Sequence, residues 1–433
     1  MVRYSAKAGV LSAIFMGLGQ LYNRQVVKGI LFLLAEILYI IFILPYNIES
    51  IRGLITLGDK PQEIVDGKII QGDHSIFLMV FGIISVIVLL LFIVFYLLNI
   101  RDAIAVGKQR EHGRVPAGFI NSLKTASEKG FPYLFLSPAV ILILFITVVP
   151  LIFGILIAFT NYSSPDHLPP RNLVDWVGFD NFINLFKLST FSRTFFGVAL
   201  WTVVWAVVSS VTAFFTGMFF AVLINSKGVA VKKFWRTIFI LPWAMPGFIS
   251  ILIMRNMFNG QFGPINKYLQ AIGLGAVPWL ADKTWAKITC LLVNLWLAFP
   301  YYMAMISGVL TSISNELYEA ASIEGANAVK QFTKITLPIV MYSTAPLLIM
   351  GIAHNFNNFN LIYLLTMGNP TNTSYSYAGH TDILLSWLYK LTLDQSQFHM
   401  ASVVSIIIFV IVAVMSVINF SYTKSFREED MVQ

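Results

Sequence analysis

The chain has 433 residues, of which 57% are hydrophobic and only 12% charged, with a formal net charge of +8. That charge content is about half of the ~25% with which a soluble globular protein coats its surface, so the composition excludes a soluble protein and predicts an all-α integral membrane protein. The basic excess does not call for nucleic acid, because Lys and Arg of polytopic proteins gather on one side of the bilayer.

A bilayer core of roughly 30 Å takes about 20 apolar residues in helix. Eight stretches meet that test: 27–46, 76–100, 133–160, 194–224, 237–257, 285–311, 339–365 and 400–422. The longest connection, 366–399, has 34 residues, below the roughly 50 of a compact domain, so a fused catalytic or nucleotide-binding domain is excluded. Ahead of the first span, Gly9–Tyr22 lacks the cleavage pattern of a signal peptide and reads as a re-entrant or interfacial helix. Gly17-Leu18-Gly19-Gln20 and Asn23-Arg24 then turn the chain, making 1–46 a helical hairpin. Glu36 lies mid-span, where a lipid-facing carboxyl would cost several kcal/mol. It is either a neutral or hydrogen-bonded carboxyl facing another helix, or a proton site. A basic, polar stretch from Arg101 to Gly130 ends at Phe131-Pro132. It separates a membrane extension, 1–132, comprising the hairpin, two spans and a basic linker, from a six-span core, 133–433. Pro150, Pro242, Pro246, Pro300 and Pro346 fall inside core spans and predict broken helices beside a pathway or packed neighbours.

With the N-terminus inside, the inner segments hold 18 Lys/Arg and the outer ones 9, which places both termini in the cytoplasm. The single Cys290 allows no intrachain disulfide and reads as packing. There is no phosphate loop, no His-Glu-x-x-His and no paired cysteines, so no metal, cofactor or enzymatic activity is expected. The six core spans contain no Asp or Glu, which opposes a proton- or sodium-coupled carrier. Energy must then enter from outside the membrane domain.

Two constellations stand out. The inner loop 312–338 carries three acids against two bases, so the positive-inside bias did not shape it. Glu316–Ile323 has helical composition, Gly325 permits a bend, and Ala320, Ala321 and Ala326 permit close approach to another surface. It is an ordinary surface helix or a docking element. The second is Asn355-Phe356-Asn357-Asn358-Phe359-Asn360. On one helix Gly351, Asn355, Asn358 and Ile362 share a stripe, and amides beside aromatic rings suit a sugar's hydroxyls and apolar ring face. Asn294, Phe299 and Tyr301 would complete such a site. Asn357 and Asn360, on another face, would join helices through hydrogen bonds, and the whole set is open to that reading. His354 is either a ligand contact or a packed imidazole.

Glu319-Ala320-Ala321-x-x-x-Gly325 with its Ile335-Thr336-Leu337-Pro338 close resembles the EAA loop of ABC (ATP-binding-cassette) importer permeases. Phe239–Pro242, Trp243–Ile253, Val293–Tyr301 and Asn355–Asn360, in that order, resemble the larger permease subunit of maltose and maltodextrin importers. The resemblance extends over nearly all of 131–433 and implies a type I importer permease. It further implies that Glu319, Ala320, Ala321 and Gly325 form a coupling helix docking on a cytoplasmic ATPase. Glu324 stands where the family often has Asp. The implied partners are a second homologous permease, two ATPase subunits and an extracellular sugar-binding lipoprotein. The implied substrate is a maltodextrin-type oligosaccharide held by Asn294, Ala298, Tyr301, Gly351, Asn355 and Asn358. Outer loop 161–193 is short where enterobacterial members insert a domain, and 9–46 resembles an extension of Gram-positive members, which implies a plasma membrane.

Overall fold

The computed structural model describes residues 4–421 apart from Gly67, Ala117, 169–171 and Lys227. Arg3, Arg171, Lys227 and the tail 423–433, which entered the charge count, lie outside the described residues. The chain forms two compact units, Met1–Gly178 and Phe179–Gln433. Among the described residues, seven helices are long and apolar enough to cross a membrane, or eight when one sharply bent pair counts as a span. They follow the order of the eight apolar stretches.

The first unit opens with α1 (Tyr4–Ile14) and α2 (Leu18–Tyr22), then α3 (Val26–Thr56), which contains a π-helical turn at Tyr39–Ile43. Gly17, between α1 and α2, is left-handed at φ 86°, and a Cβ there would collide with the Gly29 carbonyl. Only glycine satisfies both demands. A short hairpin of β1 (Glu63–Val65) and β2 (Lys68–Ile70) precedes α4 (Ser75–Glu111) and α5 (119–157). Beside this hairpin, Asp73 accepts the N–H groups of Asp59 at 2.8 Å and Lys60 at 3.0 Å. Those two bonds, Asp59's first, hold its carboxyl below the usual range.

α1 lies along the far end of α4, where Gly9 meets Ile104 and Gly107 meets the Ser5 backbone. Buried amides fasten α2 to α4. Gln20 donates to the Asn99 carbonyl and to Asp102, both at 3.0 Å, and Asn23 donates to the Ala103 carbonyl at 2.8 Å. Glu36 is buried and accepts the Met16 N–H, so the carboxyl is hydrogen-bonded to the turn that precedes α2.

The basic stretch 101–130 is mostly helical. α4 continues to Glu111 and α5 starts at Phe119, well before Phe131. Leaving the bilayer does not end a helix, because Ala, Lys, Arg and Leu sustain it in water. The chain turns only where Gly113 takes φ 72° and Pro116 follows.

The second unit contains α6 (Asp180–Lys187), α7 (Ser189–Asn225), α8 (Lys232–Ala244), α9 (Gly247–Met257), α10 (Pro264–Ala271), α11 (Lys283–Ser312), α12 (Asn315–Ile323), α13 (Ala328–Phe356), α14 (Phe359–Thr366), α15 (Leu384–Tyr389) and α16 (Phe398–Ser421). α7 and α11 form its centre. At Gly217 a Cβ would strike the Tyr302 Cβ and the Met303 backbone, so the small stripe Ala213, Gly217, Ala221 lets the two backbones approach. One apolar cluster gathers Trp201, Trp205, Val293, Leu361 and Ile362, and a second gathers Phe214, Met218, Tyr302, Met303 and Val340. Cys290 is buried in the first, as packing. Asp282 caps α11 by accepting the N–H groups of Thr284 and Trp285, which satisfies donors that a helix start leaves free. Asp382 is fully buried and is neutralised by Lys390 at 2.6 Å.

Candidate functional site: a polar cavity and an exposed helical turn

A cavity of about 680 Å³ opens in the second unit between two breaks in helical structure. The first separates α8 from α9, which meet at 89°. Pro246 has no N–H and pushes Met245 to extended backbone at ψ 143°. Trp243, Met245 and Phe248 from this break form one wall. The second break separates α13, ending at Phe356, from α14. Here Asn358 is an N-cap, its Oδ1 accepting the Leu361 N–H at 3.3 Å. The stripe expected along one helix is therefore not continuous: Gly351 and Asn355 belong to α13, Asn358 to the break, and Ile362 to the core. The residues still converge. Asn294, Ala298 and Tyr301 from α11 and Gly351, Asn355 and Asn358 all line the cavity, with His354.

The structure corrects two expectations. Asn360 lines the cavity instead of joining helices, because α13 ends at Phe356 and Asn360 belongs to the separate helix α14, so the single-helix register does not hold. Phe299 is buried away from it, against Phe220 at 5.3 Å and Phe239 at 6.5 Å. Sequence reasoning also missed Trp243 and Phe248, although Pro242 and Pro246 were the signal that this segment would expose its side chains to a cavity.

Two of the four amides here, Asn355 and Asn358, are bonded within the protein. Asn355 donates to Ser210 Oγ at 2.9 Å, accepts from Asn358 Nδ2 at 3.2 Å, and its carbonyl accepts the Trp205 indole N–H at 3.0 Å. Asn294 differs: it is 3% exposed, and its Nδ2 has no hydrogen-bond partner among the described residues. A buried donor left in that state costs roughly 1–3 kcal/mol. Tyr301 is 38% exposed with its ring 6.4 Å from that of Trp243, leaving aromatic surface free. Gly351 faces Tyr302 so closely that a Cβ would fall on the phenol oxygen, with the ring carbon Cζ at 3.3 Å.

The loop 312–338 has the opposite character. α12 is capped at its start by Ser314, which accepts the Glu316 N–H at 3.2 Å. It ends in a Schellman turn: Gly325 at φ 79° donates to the Ser322 carbonyl, and Ala326 donates to that of Ala321. Asn327 then caps the start of α13 through the Lys330 N–H at 2.9 Å. Gln331 bonds Ser322 Oγ and Tyr318 bonds Thr336 Oγ1, both at 2.9 Å, so the element is held in shape from both sides. No residue of α12 is buried. Glu319, Ala320 and Gly325 are exposed, Ala321 is half-buried, and Ile323 is 87% exposed. The bend foreseen at Gly325 is present.

No cluster of three or more His, Cys, Asp or Glu suited to a metal ion occurs among the described residues.

Residues 213–426 match the family of binding-protein-dependent transport system inner membrane components. The galactooligosaccharides transport system permease protein GanP of Bacillus subtilis (strain 168) is 40% identical over 98% of this chain and 99% of its own length. The maltodextrin transport system permease protein MalC of Streptococcus pneumoniae serotype 4 is 41% identical over 98% of each. A solved bacterial ABC transporter involved in the import of the acidic polysaccharide alginate aligns with a TM-score of 0.55 at 25% identity, covering 70% of this chain and 99% of that one. Near-full-length identity of this order, on a multi-pass helical fold shared with a solved ABC transporter, shows that the chain belongs to the permease subunits of binding-protein-dependent ABC importers and is a transport subunit rather than an enzyme.

Proposed function

We propose that this permease carries maltodextrin-type oligosaccharides through the cavity between the two helix breaks. The observation that carries the reading is the unpaired, buried amide donor of Asn294 beside the exposed ring of Tyr301. A hydroxyl accepts from the first while the apolar face of a sugar ring lies on the second, with Trp243 alongside. Ala298 and Gly351 keep the wall low, and the bonded pair Asn355 and Asn358 fixes its shape while retaining acceptor capacity on each Oδ1. Backbone breaks at membrane depth are tolerated where they line such a cavity.

Energy arrives through 312–338. Glu319 pairs with a basic residue on a cytoplasmic ATPase, Ala320 and Ala321 allow close contact, and Gly325 holds the turn, so that closure of two ATPase subunits moves α12 and switches the cavity between outward and inward access. The complete importer contains this chain, a second homologous permease, two ATPases and an extracellular sugar-binding lipoprotein. In this reading 1–132 is a membrane extension and 133–433 the permease core, in a plasma membrane with both termini cytoplasmic.

The test is uptake by the reconstituted importer with its receptor. Labelled maltotriose should accumulate with ATP and stop without it, unaffected by collapse of ion gradients. Uptake of β-galactosyl oligosaccharides in preference to maltotriose would assign the cavity to another oligosaccharide. In a Cys290→Ala background, Cys probes at Lys60 and Asn372 should react with an impermeant reagent from outside, and probes at Lys232 and Asn327 only after permeabilisation.

A further inference from the structure

The described permease machinery makes no use of a second, smaller cavity in the first unit. It has a volume of about 300 Å³ and is lined by Arg24, Arg110 and Arg114 together with Tyr4, Gly113 and Pro116. Arg24 comes from the turn after α2, and the other two from the end of α4 and the turn beyond it.

Arg110 is held in place without being neutralised. Its guanidinium lies 4.4 Å from the centre of the Tyr4 ring and 5.7 Å from that of Tyr22, and it donates to the Tyr22 carbonyl at 2.7 Å. The nearby acids are engaged elsewhere. Asp102 pairs with Lys28 at 2.6 Å and accepts from Gln20, while Glu111 accepts the N–H and hydroxyl of Ser5, both at 2.8 Å. Among the described residues none of the three arginines has an ion-pair partner. Three like charges around one small cavity repel one another, and a bound anion removes that penalty.

The shape favours one kind of anion. Guanidinium forks match the oxygens of phosphate in bidentate geometry, and basic pockets at the cytoplasmic face of membrane proteins suit phosphate headgroups. Along α4, Arg110 stands eleven residues beyond Asn99, where the apolar run ends, or about 16 Å at 1.5 Å per residue. The cavity therefore lies outside the hydrocarbon, open to water.

We propose that Arg24, Arg110 and Arg114 form a phosphate-binding site, occupied by the headgroup of an anionic phospholipid or by a soluble phosphate compound. The anion joins the α2–α3 turn to the end of α4, and so steadies the hairpin built from α1 and α2.

The assembled importer is placed in phosphatidylcholine nanodiscs containing a minority of phosphatidylglycerol, and the retained lipid is read by native mass spectrometry. In discs without phosphatidylglycerol, inorganic phosphate is titrated by equilibrium dialysis against chloride of equal ionic strength. The wild type should bind one probe selectively, and Arg24→Gln/Arg114→Gln should bind it at least tenfold more weakly. Both substituted residues are exposed and Arg110 remains, while Lys108→Gln, outside the cavity, should match the wild type. Selective retention of phosphatidylglycerol identifies a lipid source, and phosphate binding in its absence a soluble one. Failure of the wild type to bind either probe, equal displacement by chloride, or unchanged binding in the double variant overturns the proposal. Sugar uptake is a separate readout, so this result leaves the reading of the larger cavity untouched.

Discussion

At the cavity Asn294 and Asn355 are buried and Asn355 is bonded within the protein, whereas at 312–338 an apolar side chain is exposed on an element whose turns are closed by its own hydrogen bonds. Asn355 has three hydrogen bonds inside the protein; Ile323 is 87% exposed with nothing covering it. The cavity forms within this chain, with Asn294 Nδ2 left without a hydrogen-bond partner among the described residues. The loop has a finished shape and an exposed surface, which supports the docking role proposed for it.

Breaking the loop should have the largest effect. Glu319→Lys reverses the charge that the proposed docking would offer to the ATPase, and Gly325→Val forces a β-branched residue into the left-handed region, at about 1–2 kcal/mol. No neighbour lies within 4 Å of a Cβ at Gly325, so the damage is conformational only. Either variant should reduce uptake at least a hundredfold while the chain remains in the membrane, as checked by transport assay and immunoblot. Near-normal uptake would mean that this surface docks nothing.

At the cavity the contrast lies between two amides. Asn294→Ala removes a donor that has no partner among the described residues, so uptake efficiency should fall about tenfold, a change of ~1.4 kcal/mol, with receptor-stimulated ATP hydrolysis retained. Tyr301→Ala should behave alike. Asn355→Ala instead strands Ser210 and Asn358, at roughly 1–3 kcal/mol for a buried group, so the yield of assembled complex and its melting temperature should fall as well. If Asn294→Ala loses assembly and Asn355→Ala does not, the division between ligand donor and wall is reversed.

The smallest effect is expected at Asp73. Its carboxyl is held below the usual carboxylate range by the N–H groups of Asp59 and Lys60. A lowered acid adds stability that is fully present above its unfolded value and fades as pH falls through the folded one, so only strongly acidic solution should loosen this loop. Asp73→Asn should loosen it already at neutral pH, speeding hydrogen exchange at Asp59 and Lys60 severalfold and leaving uptake unchanged.

The eight spans were legible because bilayer thickness imposes a length and a composition that few other structures share. The first break was legible at Pro242 and Pro246. The second was not, since Asn357 and Asn358 carry no Gly or Pro, and a continuous helix had the same apolar pattern. That is why Asn360 was assigned to the wrong face. Phe299 and Tyr301 lie two apart in sequence and on different sides of α11, and only the packing of Phe220 and Phe239 tells which one is buried. The Asn355 bond to Ser210 spans 145 residues of sequence and has no local signature. The reach of helices past Arg101 and before Phe131 was hidden because polarity marks the edge of the bilayer, not the end of a helix.

The contact between Gly351 and Tyr302 has a consequence for how this cavity can be inherited. A methyl at 351 would overlap the phenol oxygen while standing 3.3 Å from the ring carbon that carries it. With Phe at 302 the overlap disappears and the tight approach to the ring becomes one that a small shift relieves. Position 351 is thus constrained by 302 but not the reverse: a descendant that gives up the hydroxyl first can gain the methyl afterwards, and one that tries the opposite order passes through a crowded intermediate.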